Sequence, residues 1–235
     1  MKYKTKHGEL DFWSPYPSLN KFKRIGVNLS GGADSALIMF MTCREIVERN
    51  LDTTIVPITG VDERRPTNIW NAREIVDLFK ELFPQVKFYE HQVNHYQKSH
   101  EKDKVNHHRA HEDRLRKEGV IDVLFHGRSA NPPEDIAKEN NLLFKREVRR
   151  DSHGHDRVPY HENHGKPFYC PLEYLDKRFV AEMYKQFDLM NNLFPITASC
   201  VEYAEKTDYF SKPCKECWWC REKKWAFGMY DGGVT

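Results

Sequence analysis

Charge of one sign, long apolar runs and linker-like stretches are all missing from this chain. Lys and Arg number 37 against 35 Asp and Glu, a formal balance of +2. That near-cancellation excludes a basic arm or an acidic solvating tail as the organising theme, so a nucleic-acid partner is not expected. The longest apolar run, Ala36 to Met41, is far too short to span a bilayer, and no membrane association is expected. Met1 to Asp11 is Lys-rich without the apolar stretch a secretory signal needs, so the expected compartment is the cytoplasm. No internal repeat and no Ser/Gly linker divides the chain. Apolar residues make up a modest 39 %, but 14 Phe, 11 Tyr and 5 Trp supply the large side chains of a packed core, which excludes a disordered chain.

Cysteine is scarce outside one short stretch. Cys43 and Cys170 stand alone, whereas Cys200, Cys214, Cys217 and Cys220 crowd into twenty-one residues. Disulfide stapling would spread them, and the chain shows no secretory signal. The spacing Cys-x13-Cys-x2-Cys-x2-Cys lets the thiolates converge around a tight turn. Four thiolates suit tetrahedral Zn²⁺ and leave no open position, so a structural ion is expected. An iron–sulfur cluster takes the same set and stays open as the alternative. Cys43 falls on an apolar helix and reads as core.

Strand and helix signals alternate. Arg24 to Leu29 reads as a buried strand, Ala36 to Val47 as a helix, and Asp52 to Thr59 as a second strand whose Pro57 suggests a sheet edge or strand end. Pro66 fits a first helical turn. Apolar residues from Ile69 to Phe83 then recur at helical spacing, and Pro84 stops them. Val86 to Val93 and Val120 to Phe125 read as strands three and four, and Leu175 to Leu189 as a late helix. This alternation predicts an α/β fold with a Rossmann-like, mainly parallel sheet. Residues 1–23 read as irregular, 94–118 as a charged helix, and 127–170 as polar and off-rhythm.

Ser30-Gly31-Gly32-Ala33-Asp34-Ser35 joins the first strand to the first helix. Paired glycines let the backbone turn tightly and approach a ligand, and a helix N-terminus presents free N–H groups and a positive dipole end. A phosphate suits such a site, with hydroxyls from Ser30 and Ser35 and with Asp34 as a Mg²⁺ ligand or helix cap. The Lys that a Walker loop carries after its second glycine is missing. A plain Gly-rich turn capped by Asp34 is the other reading of the same residues.

The loop resembles that of the PP-loop ATP pyrophosphatases, which cleave ATP between its α and β phosphates and transfer AMP to a substrate oxygen. The tail narrows the resemblance to the 7-cyano-7-deazaguanine (preQ0) synthase family. The matching residues are Thr197-Ala198-Ser199-Cys200, then Cys214, Cys217 and Cys220, then Lys223 and Ala226-Phe227, with Pro171-Leu172 and Lys177 upstream. The resemblance implies an adenine-nucleotide hydrolase fold over residues 1–195 and a small zinc-binding helical extension over 196–235. It implies a ligase that uses ATP, Mg²⁺ and ammonia to turn 7-carboxy-7-deazaguanine into preQ0 through an adenylated carboxylate. Ser30, Gly31, Gly32, Ala33, Asp34 and Ser35 would hold the nucleotide. Asp34, Lys177 and Arg128 would be catalytic, with Arg128 pairing a substrate carboxylate or phosphate. The partners would be a deazapurine carboxylate and ammonia, with a homodimer as the candidate assembly.

After strand four the family carries a polar and aromatic substrate-facing segment, where this chain has Gly127-Arg128-Ser129-Ala130-Asn131-Pro132-Pro133. A PP-loop thiolase with an iron–sulfur cluster, and a relative that modifies a nucleic acid or a protein, therefore stand as alternatives.

Eleven of the twelve histidines lie between His91 and His164. His91/His95 and His107/His111 are one helical turn apart, a metal-binding spacing, but Arg109, Arg114 and Arg116 favour a solvated or anion-facing helix. His153-Gly154-His155 and His161 to His164 read as a loop able to close over a site.

Overall fold

A computed structural model describes residues 1–13, 17–62, 67–96, 101–142, 160–163, 166–202 and 204–235. Pro66 and the loop expected around His153, His155 and His164 lie outside them. A two-stranded antiparallel hairpin, β1 (Lys2–Thr5) and β2 (Gly8–Asp11), opens the chain. The main sheet contains β3 (Arg24–Asn28), β4 (Thr54–Asp62), β5 (Lys87–Phe88), β6 (Gln92–Tyr96), β7 (Val123–His126), β8 (Tyr160–Asn163) and β9 (Lys166–Tyr169). Its order is β5-β4-β3-β7-β9-β8, with β6 also on β4, and every pairing is parallel except β8 with β9. The α/β fold with a mainly parallel sheet is therefore as the alternation of elements predicted.

Helices α1 (Ala33–Glu48), α2 (Asn68–Leu82), α3 (Glu101–Lys117), α4 (Glu134–Glu139), α5 (Lys177–Gln186) and α6 (Trp218–Phe227) complete the elements used below. Ile25, Val27, Ile55, Val123 and Phe125 face one layer built from α1, α2, α5 and the N-terminal Phe12 and Trp13. Val56, Ile58 and Leu124 face the other way, against Leu115 of α3. This period-two split is how a sheet buried on both faces reads as nearly continuous apolar sequence. On α2 the buried set is Ile69, Ala72, Ile75, Val76 and Phe79, the stripe its periodicity predicted. No helix among the described residues is long and apolar enough to cross a membrane.

Four expectations need correction. The first residues are not all irregular, because β1 and β2 pair and bury Tyr3 and Leu10 against the core. Pro57 is not at an edge or a strand end, since β4 has neighbours on both sides. Ile58 O accepts from Leu29 N at 2.8 Å and Ile55 O accepts from Tyr89 N at 2.8 Å, so alternate residues face opposite neighbours. Pro57 shares Ile55's side and falls at the break between β5 and β6, where its missing N–H costs no ladder bond. Residues 86–93 accordingly form two short strands rather than one. The polar stretch 127–170 contributes α4 and the β8–β9 hairpin, whose antiparallel edge extends the sheet beyond β7.

The chain runs outward from β3 through β4 to β5 and β6, then returns on the other side of β3 as β7. That reversal opens a crevice at the carboxyl ends of β3 and β7, where open α/β sheets bind ligands.

Candidate active site and metal centre

A pocket of about 310 Å³ fills this crevice. Asn28 and Ser30 reach it from β3, Gly32 to Ser35 from the first turn of α1, and His126 to Arg128 from β7. Lys177, Ser199 and Trp219 complete the wall. The loop that precedes α1 is braced from within. Ser30 N donates to Ser35 Oγ at 3.2 Å, Gly32 N to Ser30 Oγ at 3.4 Å, and Ser35 Oγ to Gly32 O at 3.0 Å. Gly31 adopts φ +80°, the left-handed region that favours glycine. Gly32 caps α1 without a side-chain hydrogen bond, so the pocket meets a helix N-terminus that no side chain has claimed. Gly127 lets β7 approach this turn, since a Cβ there would lie 2.5 Å from Ser35 N.

Asp34 does not act as a simple cap. Its Oδ2 accepts from Lys177 Nζ at 2.6 Å and from Ser129 Oγ at 3.1 Å. Its Oδ1 is buried and has no hydrogen-bond partner among the described residues. An orphaned carboxylate oxygen beside a phosphate-type loop fits the oxygen-donor chemistry of Mg²⁺. Lys177 is the first residue of α5, and Asp176 caps that helix by accepting from Arg178 N at 2.9 Å. The cap fixes the direction in which α5 sends Lys177 into the pocket. Lys177 also lies 3.7 Å from Glu222 Oε2 of α6. Arg128 lines the pocket but pairs with the buried Glu173 at 2.8 Å.

In the pocket wall, Asn28 Nδ2 lies 2.9 Å from His108 Nε2, 3.5 Å from Glu112 Oε1 and 3.5 Å from His126 Nδ1. Burial holds His126 down to about 3, with His108, Arg128 and Arg116 adding to the effect. Burial pushes Glu112 up to about 7. The two histidine pairs that shared a metal-like spacing do not become ligand sets. His91 Nε2 bonds Thr59 Oγ1 at 2.8 Å, His111 Nδ1 meets Arg114 at 3.0 Å, and His95 and His107 are exposed.

Among the described residues, the group that could hold a metal is Cys200, Cys214, Cys217 and Cys220, whose sulfurs all lie within 4.8 Å of one another. Cys217 is the N-cap of α6 and Cys220 sits in its first turn, so a single tight turn brings two thiols together. Backbone amides support the sulfurs: Cys214 N points at Cys200 Sγ at 3.4 Å and Cys217 N at Cys214 Sγ at 3.3 Å. Hydrogen bonds from the Cys217 and Cys220 thiols lower the Cys200 pKa and raise their own. Cys43 and Cys170 are buried, and burial pushes Cys170 up to about 12, so neither offers a reactive thiolate. Trp218 anchors the knuckle by donating from Nε1 to Leu142 O at 2.7 Å beside Ala137 of α4.

The cysteine-bearing tail is tied to the Ser30–Ser35 loop. Ala198 N donates to Gly31 O at 2.9 Å, and Asn71 Nδ2 of α2 donates to Ile196 O at 3.0 Å. Asp231 Oδ2 accepts from Ser199 N and Cys200 N, both at 2.8 Å, while its Oδ1 accepts from Lys223 Nζ. Lys223 is fully buried and also donates to Thr197 O at 3.1 Å and Thr197 Oγ1 at 3.0 Å. Phe227 joins the main core, and its ring lies 4.8 Å from that of Phe194.

The predicted loop residues other than Gly31 therefore line one pocket with Lys177 and Arg128, and the four cysteines are grouped beside it. Sequence reading missed Ser129, Asn28, His126, Glu222 and Asp231. The Asp231-Gly232-Gly233 turn is a readable local signal, but nothing in the sequence says which distant amides its carboxylate holds.

No family model matches the chain, and no curated protein matches it in sequence. Among solved structures, it is similar to U34-tRNA thiolase NcsA from Methanococcus maripaludis with its [4Fe-4S] cluster, at 14 % identity and a TM-score of 0.46. The match covers 71 % of this chain and 57 % of that one, so it spans little more than half of that structure.

Proposed function

We propose that the chain is an ATP-dependent ligase of the PP-loop type that adenylates a carboxylate and joins it to ammonia. The preferred substrate is 7-carboxy-7-deazaguanine and the product preQ0. The observation that carries the reading is Asp34: one carboxylate oxygen neutralised by Lys177, the other buried and without a partner among the described residues, beside a helix N-terminus whose Gly32 cap makes no side-chain hydrogen bond. Mg²⁺ held by Asp34 Oδ1 would supply charge neutralisation for the departing pyrophosphate. The N–H groups of the first turn of α1 would hold the phosphates, and Lys177 would face the charge that grows on them. The substrate carboxylate attacks the α-phosphorus and pyrophosphate leaves. Ammonia then displaces AMP from the acyl group, leaving an amide. A second adenylation, on the amide oxygen, lets that oxygen leave with AMP and gives the nitrile. Arg128 would orient the carboxylate with the guanidinium N–H groups that Glu173 does not use. Trp219 offers a flat apolar wall for a planar base.

The cysteine geometry supports a single ion. A tetrahedron of Zn–S bonds of about 2.3 Å has edges of about 3.8 Å, and Cys214 Sγ lies 3.8 Å from Cys220 Sγ. A four-iron cluster puts four metal atoms between its thiolates and needs them wider apart. Zinc therefore fits better than the iron–sulfur alternative. The test is incubation with ATP, Mg²⁺, ammonia and 7-carboxy-7-deazaguanine, followed by mass spectrometry. AMP and preQ0 should form together, and Asp34→Ala should abolish both while the fold survives. If the carboxylate neither binds nor stimulates AMP release while ATP still binds, the pocket serves another molecule.

A further inference from the structure

Lys177 is flanked by two carboxylates, and one of them comes from the metal-bearing helix. Asp34 Oδ2 lies 2.6 Å from its Nζ, and Glu222 Oε2 lies 3.7 Å away. The side chain of Glu222 is 0 % exposed and that of Lys177 is 7 % exposed. A buried carboxylate in this position is costly, and an apolar residue of similar volume would stabilise the fold as well or better. Cys220 lies two residues before Glu222 and the buried Lys223 follows it. Asp34, Lys177, Glu222, Lys223 and Asp231 form a run of alternating charges from the phosphate loop to the amides of Ser199 and Cys200.

We propose that Glu222 is a positioning residue for Lys177, keeping the ammonium aimed at the phosphate site when Asp34 turns its charge to a cation. The inference rests on the phosphate-binding reading above and deepens it. Asp34 makes the shorter of the two ion pairs to Lys177. Once a cation shares the Asp34 carboxylate, its pull on Lys177 weakens, and repulsion from the cation would push the ammonium out of line. Glu222 does not line the pocket, and it stands within ion-pair distance of Lys177 but beyond a direct hydrogen bond. It can hold the lysine without drawing it away from phosphate. Because Glu222 rides on α6, whose N-cap is Cys217, a formed knuckle is a condition for this alignment.

The test is a double-mutant cycle on pyrophosphate binding in the presence of Mg²⁺, measured calorimetrically on the full, metal-loaded chain. Glu222→Gln should weaken pyrophosphate about tenfold when Lys177 is present and less than about twofold in the Lys177→Met background. Glu222→Asp, which retains the charge and retracts it by one methylene, should recover part of the loss. Metal content and melting temperature measured on each variant separate positioning from simple unfolding. If Glu222→Gln fails to fold, the Glu222→Asp cycle decides, because a retracted carboxylate should weaken binding only when Lys177 is there to be aimed. Losses that multiply in the double variant, or unchanged binding in Glu222→Gln, would overturn the assignment. Pyrophosphate binding needs no turnover. A wild-type protein that releases no AMP would therefore sink the ligase reaction and leave the role of Glu222 to this cycle.

Discussion

Asp231→Ala should loosen the cysteine-bearing tail and the Ser30–Ser35 loop together. The substitution removes the carboxylate that faces the fully buried Lys223 ammonium and accepts from Ser199 N and Cys200 N. Stranding a buried cation costs about 3–5 kcal/mol, and each orphaned amide, half-buried here, at most about 1–3 kcal/mol. These contributions overlap, because all three donors meet one group. Lys223 can also shed its proton, and desolvation already draws its pKa below the ordinary lysine value, which caps the penalty. A net loss of about 4–6 kcal/mol follows, a large share of a typical folding free energy. For a chain of this size that corresponds to a fall of about 10–20 °C in melting temperature. Calorimetric melting of the metal-loaded protein reads the global effect, and the rate of metal loss to a chelating dye reads the local one. Adding Lys223→Met to Asp231→Ala should recover part of the loss, since no buried charge is then left alone. A melting temperature within about 3 °C of the parent, with unchanged metal release, would refute the idea that this network locks the tail.

Metal analysis should find one zinc per chain and no visible absorbance, and chelation should expose residues 196–235 to protease before the sheet; a brown protein with four irons would contradict the single-ion geometry. Gly127→Ala must displace Ser35 backbone that lies 2.5 Å from the new Cβ, so it should lower both stability and nucleotide affinity, whereas Gly32→Val, whose Cβ meets Ser30 Oγ at 3.4 Å, should block ATP with little change in melting. Stability should fall in acid, because His91 and His126, held at about 4 and about 3 by burial, contribute fully above the ordinary 6.5 and lose that contribution as pH drops through their folded values. Glu112, raised to about 7, works in the opposite sense: its contribution is complete below 4.5 and is lost as pH rises through 7. Glu112→Gln should therefore steepen the acid loss and His126→Gln flatten it, as read from melting temperatures between pH 5 and 8; equal slopes in all three proteins would contradict the assignment.

Local signals carried much of the architecture in the sequence. The strand-to-helix loop of Ser30 to Ser35 is legible because tight turns, glycine freedom and a helix N-terminus all act within six residues. The α2 stripe from Ile69 to Phe79 is legible because a helix repeats its buried face every turn. The four cysteines are legible because their ligand spacing is written in the chain. Pro57 misled because its meaning depends on a break between β5 and β6 that lies thirty residues further on. The β8–β9 hairpin gave no signal, since each strand is only four residues long and too short for a period-two pattern to stand out.

Tertiary structure alone decided which charges meet. Lys177 reaches Asp34 across 143 residues, Ser129 reaches it across 95, and Asp231 holds the amides of Ser199 and Cys200 from about thirty residues away. No spacing rule links such partners, because their distances are set by how α1, α5 and α6 pack against one another rather than by the chain between them. Composition and periodicity determined that this protein is an α/β domain with a phosphate-type loop and a cysteine knuckle. Only the packing of the tail onto the loop brought Glu222 within ion-pair distance of Lys177 and left one oxygen of Asp34 without a partner among the described residues, since long-range burial determines which polar groups are paired and which are left open.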